Sequence, residues 1–272
     1  MNSTFEQEVK QGDRFQFGEN WQRFLSVLND ERIAEAEKSL QTMLEVDNLE
    51  GKRFLDIGSG SGLFSLAARR LSATVHSFDY DPTSVACTQE LKRRYFPDTS
   101  DWTVERGSVL DVDYLKSLGE FDIVYAWGVL HHTGAMWQAL ENASLPVTCG
   151  GQLFIAIYND QGVQSKFWRK VKRLYCSGSI GKTLVSVCCI PYFIIGGLAV
   201  DLVKGRNPVL RYTEYQKLRG MSLVYDWFDW LGGYPFEVAK PEDIVEFYKT
   251  ISFVLRNTAF CRGKPGNNLL FL

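Results

Sequence analysis

Phe54–Gly62, FLDIGSGSG, is the stretch on which the reading of this chain turns. Phe54, Leu55 and Ile57 form a short apolar run that reads as a buried strand, and it stops at a loop with glycine at every second position. Beyond the loop, Leu63, Leu66, Ala67 and Leu71 recur at the spacing of one helix face. A glycine-rich turn between strand and helix lets a ligand lie against bare backbone. The start of the helix leaves N–H groups unpaired and directed at that ligand. The stretch predicts a nucleotide-type pocket.

The spacing narrows the choice of nucleotide. Gly58, Gly60 and Gly62 run G-x-G-x-G, whereas a dinucleotide fingerprint runs G-x-G-x-x-G. Asp56 stands two residues ahead of Gly58, where a carboxylate would oppose a pyrophosphate but suits a cationic amino-acid end. The pattern D-x-G-x-G-x-G resembles the first motif of class I S-adenosylmethionine-dependent methyltransferases. That resemblance implies that Asp56, Gly58, Ser59 and Gly60 hold S-adenosyl-L-methionine, with the acidic residue near the methionine ammonium.

Further segments extend the same reading. Ala73–Phe78 is expected to be a second strand ending at Asp79, with Asp81 capping the next helix and Pro82 at its first position. Asp79 needs no structural role, and a carboxylate at the end of the neighbouring strand accepts ribose hydroxyls; Tyr80 is assigned to the adenine. Trp102–Asp111 reads as a third strand and exit loop. The resemblance implies that Ser108, Val109 and Leu110 lie along the base, with Asp111 either accepting from its amine or capping a helix. FDIVYAWGVLHHT, 121–133, reads as a fourth strand with Trp127 at its exit and His131-His132 beyond. Methyltransferases of this class carry a similar V-L-H-H run beside the methionine portion and the reactive methyl. Gln152–Asp160 is expected to be a fifth strand following a Gly150-Gly151 turn.

On either side of this core the chain reads as helical. In residues 1–50, Phe17, Trp21, Phe24, Leu25 and Leu28 form a helical stripe. It is read either as packing on the sheet edge or as a lid in which Phe17 and Trp21 close over the cofactor; F-x-F-G-x-N-W resembles the openings of bacterial relatives of the ubiquinone-pathway methyltransferases. Residues 161–238 interrupt the alternation of strand and helix with a helical cap. Lys166, Arg169, Lys170, Lys172 and Arg173 make a basic helix, and Thr183–Val200 is an uncharged run of 18 residues broken by Pro191 and Gly196-Gly197. Buried cap helices are the first reading of that run; a membrane-facing patch over 166–200, suited to a lipophilic acceptor, is the second. Arg219–Glu237 mixes aromatic and acidic residues, and Trp230, Tyr234 and Glu237, with Tyr158 and Asp160 at the fifth strand's exit, are the candidates for binding substrate. Residues 239–272 return to the sheet with a helix and a hairpin, SFVLRNT and NNLLFL.

The expected fold is therefore α/β: a Rossmann-like seven-stranded sheet with a terminal antiparallel strand, N-terminal helices over 1–50, a cofactor core over 51–160, a helical cap insertion over 161–238 and a closing segment over 239–272. The expected activity is methyl transfer from S-adenosyl-L-methionine to a small-molecule acceptor, with oxygen favoured. His131 and His132 are the candidates for a general base, or else hold the site together structurally. A macromolecular acceptor is the alternative, but the net charge of −2 brings no field to recruit nucleic acid. Six cysteines without C-x-x-C spacing suggest reduced thiols, no metal and a cytoplasmic setting, peripheral to a membrane if the patch is real. Oligomeric state and acceptor identity are not encoded in any motif.

Overall fold

The computed structural model describes residues 4–205, 207–208 and 223–256, with Val224–Asp226 described along the backbone alone. Five strands form one parallel sheet: β1 (Arg53–Ile57), β2 (Thr74–Asp79), β3 (Trp102–Arg106), β4 (Phe121–Trp127) and β5 (Val147–Ala156), in the order β3-β2-β1-β4-β5. The chain winds outward from β1 through β2 to β3, then returns to place β4 on the other side of β1. This reversal opens a crevice at the carboxyl ends of β1 and β4, where open α/β sheets bind ligands. The glycine loop leaves one of those strands and the Trp127–Val129 exit leaves the other.

The central strands β1 and β4 are buried on both faces, as expected inside a parallel sheet, while the edge strand β3 is partly exposed. Phe54, Val75, Ile123, Tyr125 and Phe154 point to one side, against α3 (Asp30–Leu44), α4 (Leu63–Arg70) and α5 (Pro82–Tyr95). Leu55, Ile57, Phe78, Val124 and Ile155 point to the other. There they meet α6 (Val112–Ser117), α7 (Met136–Ser144) and α11 (Pro241–Thr250). The period-2 alternation thus feeds two cores rather than one core and solvent. Asp81 caps α5 by accepting from Thr83 N–H at 2.8 Å, and Asp111 caps α6 by accepting from Tyr114 N–H at 3.0 Å through one oxygen while also lining the cavity in the crevice.

Helices α1 (Phe5–Gln11) and α2 (Gly18–Leu25) precede α3, while α8 (Val163–Cys176), α9 (Ser179–Val203) and α10 (Leu223–Gly232) follow the sheet. Three expectations need correction. Five strands, all parallel, replace seven with an antiparallel one among the described residues; 252–256 form no strand, and NNLLFL lies outside the described residues. Gly150-Gly151 is not a turn before β5 but lies inside it, where the register with β4 slips between the Phe121 and Ile123 pairs. A glycine pair lets the strand bulge without leaving the ladder. Finally, α9 is not a buried cap helix: Gly181, Val185 and Asp201 are its only buried residues.

Candidate active site

A cavity of about 1950 Å³ occupies the crevice between the ends of β1 and β4, and it runs from the glycine loop to the two histidines. At its floor the loop amides are already committed. Gly58 and Ser59 N–H donate to the Phe78 carbonyl at 2.8 and 3.1 Å, and Gly62 N–H donates to the Ser59 carbonyl at 2.8 Å. Gly60 N–H donates to Asp79 Oδ2 at 2.9 Å. The expected fan of free donors is therefore absent at these positions, and with it the feature that draws a phosphate to such a loop. What the loop offers is close approach. Any Cβ on Gly58 would come within 2.4 Å of the Val129 side chain, and one on Gly60 within 3.1 Å of the Trp21 indole.

Of the carboxylates on the cavity lining, Asp56 and Asp79 stand at the strand ends that flank the glycine loop, and Arg14 and Arg106 are on the lining as well. Asp79 also accepts from Asp81 N–H at 2.9 Å, and burial raises its pKa to about 6. Each of its oxygens keeps further lone pairs for a ligand hydroxyl. Asp56 is buried at 3% exposure, and burial raises its pKa to about 7 against the opposing effect of a hydrogen bond from Ser65. That bond ends a directed chain. Trp102 Nε1–H donates to Ser77 Oγ at 2.9 Å, Ser77 donates to Ser65 Oγ at 2.7 Å, and Ser65 donates to Asp56. The chain crosses from β3 through β2 and α4 to β1. Tyr125, paired in register with Asp56, puts a buried hydroxyl on the cavity with no hydrogen-bond partner among the described residues. A buried carboxylate short of a counter-charge, an orphaned hydroxyl beside it and a second carboxylate beside a side-chain-free loop fit a ligand with an ammonium end and a ribose. They do not fit a pyrophosphate.

The N-terminal segment covers this ligand space. Gly18 N–H donates to Asp81 Oδ2 at 2.8 Å, Phe15 N–H to the Tyr234 carbonyl at 2.8 Å, and Arg14 Nη1 to the His132 carbonyl at 2.8 Å. Residues 14–18 are thereby strapped across the exits of β2 and β4 and the 232–237 loop. Tyr80 is held by the same strap: its hydroxyl donates to Glu8 at 3.2 Å, and the Arg14 guanidinium lies 5.1 Å from its ring centre. α3 packs on the sheet through Ile33, Ala36, Leu40 and Leu44, while Phe17 and Trp21 face the cavity.

At the far end, His131, His132 and Tyr158 form an aromatic cluster, with ring centres 4.3 Å apart for the histidines and 4.1 Å for His131 and Tyr158. His132 Nδ1 lies 2.6 Å from the Pro235 carbonyl, which can only accept. That nitrogen therefore carries the proton, and Nε2 is left as the acceptor. Burial, with smaller contributions from Lys172 and Arg14, lowers the pKa of His132 to about 3. His131 is fully enclosed, with neither ring nitrogen meeting a partner of good geometry, and burial, His132 and Lys172 hold it neutral.

All eleven residues expected to bind cofactor line the cavity: Trp21, Asp56, Gly58, Ser59, Gly60, Asp79, Tyr80, Ser108, Val109, Leu110 and Trp127. Both histidines and Tyr158 line it as well. Asp160, Trp230, Tyr234 and Glu237 do not. Asp160 accepts from Gly162 N–H at 2.8 Å at the start of α8, Trp230 packs against Tyr158 and Phe236, Tyr234 anchors Phe15, and Glu237 accepts from Met136 N–H at 3.1 Å. Trp230, Tyr234 and Glu237 thus stand behind the histidines, while Asp229 of the same stretch lines the cavity. Gly233 makes this possible, since a Cβ there would meet His132 Cε1 at 3.3 Å. Sequence reading missed Arg14 and Tyr125: one is a single charge among several in a polar segment and the other a strand residue of ordinary buried type.

Comparison with known proteins agrees with this geometry. Residues 55–153 match the family profile described as "Methyltransferase domain". The ribosomal protein L11 methyltransferase of Bacillus velezensis is 29% identical over 161 residues, covering 52% of this chain and 50% of that protein. The ubiquinone biosynthesis O-methyltransferase of Brucella ovis is 34% identical over 119 residues, covering 41% of this chain and 43% of that protein. The chain thus spans half the length or less of these relatives. Among solved structures, PKMT2 from Rickettsia typhi superposes with a TM-score of 0.50 at 16% identity, over 79% of this chain and 41% of that one, a likeness of fold alone. Through residues 55–153 this chain thus matches the family of methyltransferase domains.

Proposed function

We propose that the chain transfers a methyl group from S-adenosyl-L-methionine to a hydroxyl of a small-molecule acceptor. The observation that supports this reading best is the single connected cavity, which joins the glycine loop and both carboxylates to the histidine cluster beneath the 14–18 strap. At about 1950 Å³ it exceeds the usual range of roughly 300–1,000 Å³ for a single ligand site, and so has room for a nucleoside and an acceptor together. Its cover favours a molecule that can be enclosed over a folded macromolecule.

Bound S-adenosylmethionine supplies an activated methyl group, open to attack by a nucleophile held about 3 Å from it. The protein's own residues do the remainder. Asp79 accepts the ribose hydroxyls and Asp56 faces the ammonium. Phe17 and Trp21 exclude water from the crevice. His132 Nε2 accepts the proton of the acceptor hydroxyl, with its tautomer fixed by Pro235. A histidine whose pKa is as low as about 3 is a weak base, and it matches a hydroxyl that is itself acidic, such as a phenol, better than an aliphatic alcohol.

The charge state of Asp56 gives a pH signature. Its pKa is raised, so the carboxyl takes up a proton as the pH falls through about 7, and its attraction for an ammonium is lost at that point. Affinity for S-adenosylmethionine is expected to be flat above about pH 8 and to fall by up to about tenfold per unit below 7. Calorimetric titrations from pH 8 to pH 6 measure this, and Asp56→Asn should flatten the profile.

The reaction itself is tested with methyl-labelled S-adenosylmethionine and a cell extract. Label in the solvent-soluble, non-precipitable fraction supports the small-molecule reading. Label in acid-precipitable protein would instead favour the second reading, suggested by the relatives named for a ribosomal protein.

A further inference from the structure

We infer that α8 and α9 form a docking surface for an anionic lipid bilayer, with α9 lying in the plane of the interface. This inference is independent of the methyl-transfer reading. α9 is 25 residues long, and one helical face holds it to the body of the protein: Val185, Cys189 and Phe193 pack against Trp168 and Tyr175 of α8 and Leu231 of α10. The other faces are apolar and open. Ile180 is 88% exposed, Val187 67%, Ile195 64% and Leu202 65%, in an element with no charge between Lys182 and Asp201. Scattered apolar side chains at a surface need no explanation, but a continuous helix of them does.

The helix meets the length and composition of a membrane span. The geometry argues against crossing. A spanning α9 would have to shed the contacts of its Val185–Cys189–Phe193 face or draw α8 and α10 into hydrocarbon. Buried along one side and bare on the other, it has the form of a helix that sinks its apolar face to the level of the headgroups.

Charge identifies the surface it meets. Between Asp160 and Asp201 the chain has no acidic residue, while Lys166, Arg169, Lys170, Lys172, Arg173 and Lys182 are basic, in a protein of net charge −2. Lys166, Lys170 and Arg173 are exposed on α8, where they interleave with exposed Val163, Phe167 and Leu174. None of the three forms an ion pair among the described residues. Apolar residues mixed with unneutralised cations on one exposed face fit anionic headgroups over acyl chains. The same charges oppose the rival occupant, since a second copy docked face to face would set two basic surfaces against each other.

The test is co-sedimentation of the full chain with phosphatidylcholine vesicles, with and without phosphatidylglycerol. Binding to the anionic vesicles is expected to exceed binding to the neutral ones by at least about tenfold and to weaken with salt. The variant Leu184→Asp/Ile195→Asp/Leu198→Asp, at exposed positions, should lose vesicle binding at least about tenfold with its melting temperature unchanged. Lys166→Glu/Lys170→Glu/Arg173→Glu should erase the preference for anionic lipid. A wild-type chain that stays in solution with both vesicles would overturn the proposal. So would a dimer that the first variant converts to monomer, or retention in vesicles through alkaline carbonate, the mark of a spanning helix.

Discussion

Asp79→Asn is expected to weaken the binding of S-adenosylmethionine and of its demethylated product by roughly a hundredfold. The carboxylate accepts from Gly60 and Asp81 N–H in the protein alone, and in the proposed complex it also accepts from the ribose. An amide has a single acceptor oxygen and would turn its NH₂ toward one of those two backbone donors. Hydrogen bonds to a charged group contribute about 1.5–3 kcal/mol each, and the loss of two weakened bonds, near 3 kcal/mol together, corresponds to about two decades in Kd. Calorimetry with both ligands measures this. An unchanged Kd would remove Asp79 from the ribose and, with it, the orientation of the nucleoside in the cavity.

His132→Ala is expected to lower kcat by about 10²–10⁴ with little change in cofactor affinity, the span attributed to a positioned general base. The pH profile separates this from a packing role. With its pKa lowered to about 3 by burial, the wild-type imidazole is unprotonated throughout the working range, so kcat should lack the acidic limb near 6.5 that an ordinary histidine gives. His132→Gln preserves much of the volume and a hydrogen bond to Pro235 while removing the basic nitrogen. If it retains full turnover, His132 only shapes the cavity. His131→Ala, at a position enclosed on all sides, should act first on stability, at about 2–4 kcal/mol.

Much of this site was legible from local sequence because parallel α/β sheets put function where strands end. FLDIGSGSG, the strand end at Asp79 and the V-L-H-H run are each contiguous, and the sheet order brings them to one crevice. The substrate side was less legible. Trp230, Tyr234 and Glu237 have the residue types of a pocket wall, but the chain returns them behind the histidines, where Tyr234 and Glu237 bond to Phe15 and Met136. Composition carries no record of which side of a neighbour a segment will take. α9 was misread for a related reason. Apolar runs predict burial against something, and sequence alone does not say whether that is the protein or a bilayer.

The donor chain from Trp102 through Ser77 and Ser65 to Asp56 makes the outer edge of the sheet a participant in charge balance at the crevice. Every hydroxyl in it has spent its one proton in the same direction. A change as remote as Trp102→Phe would therefore free Ser77 to reorient, relax the grip on Ser65 and leave the carboxylate to hold its proton at a higher pH. A substitution at that distant rim would therefore be felt as altered appetite for a positively charged nucleoside.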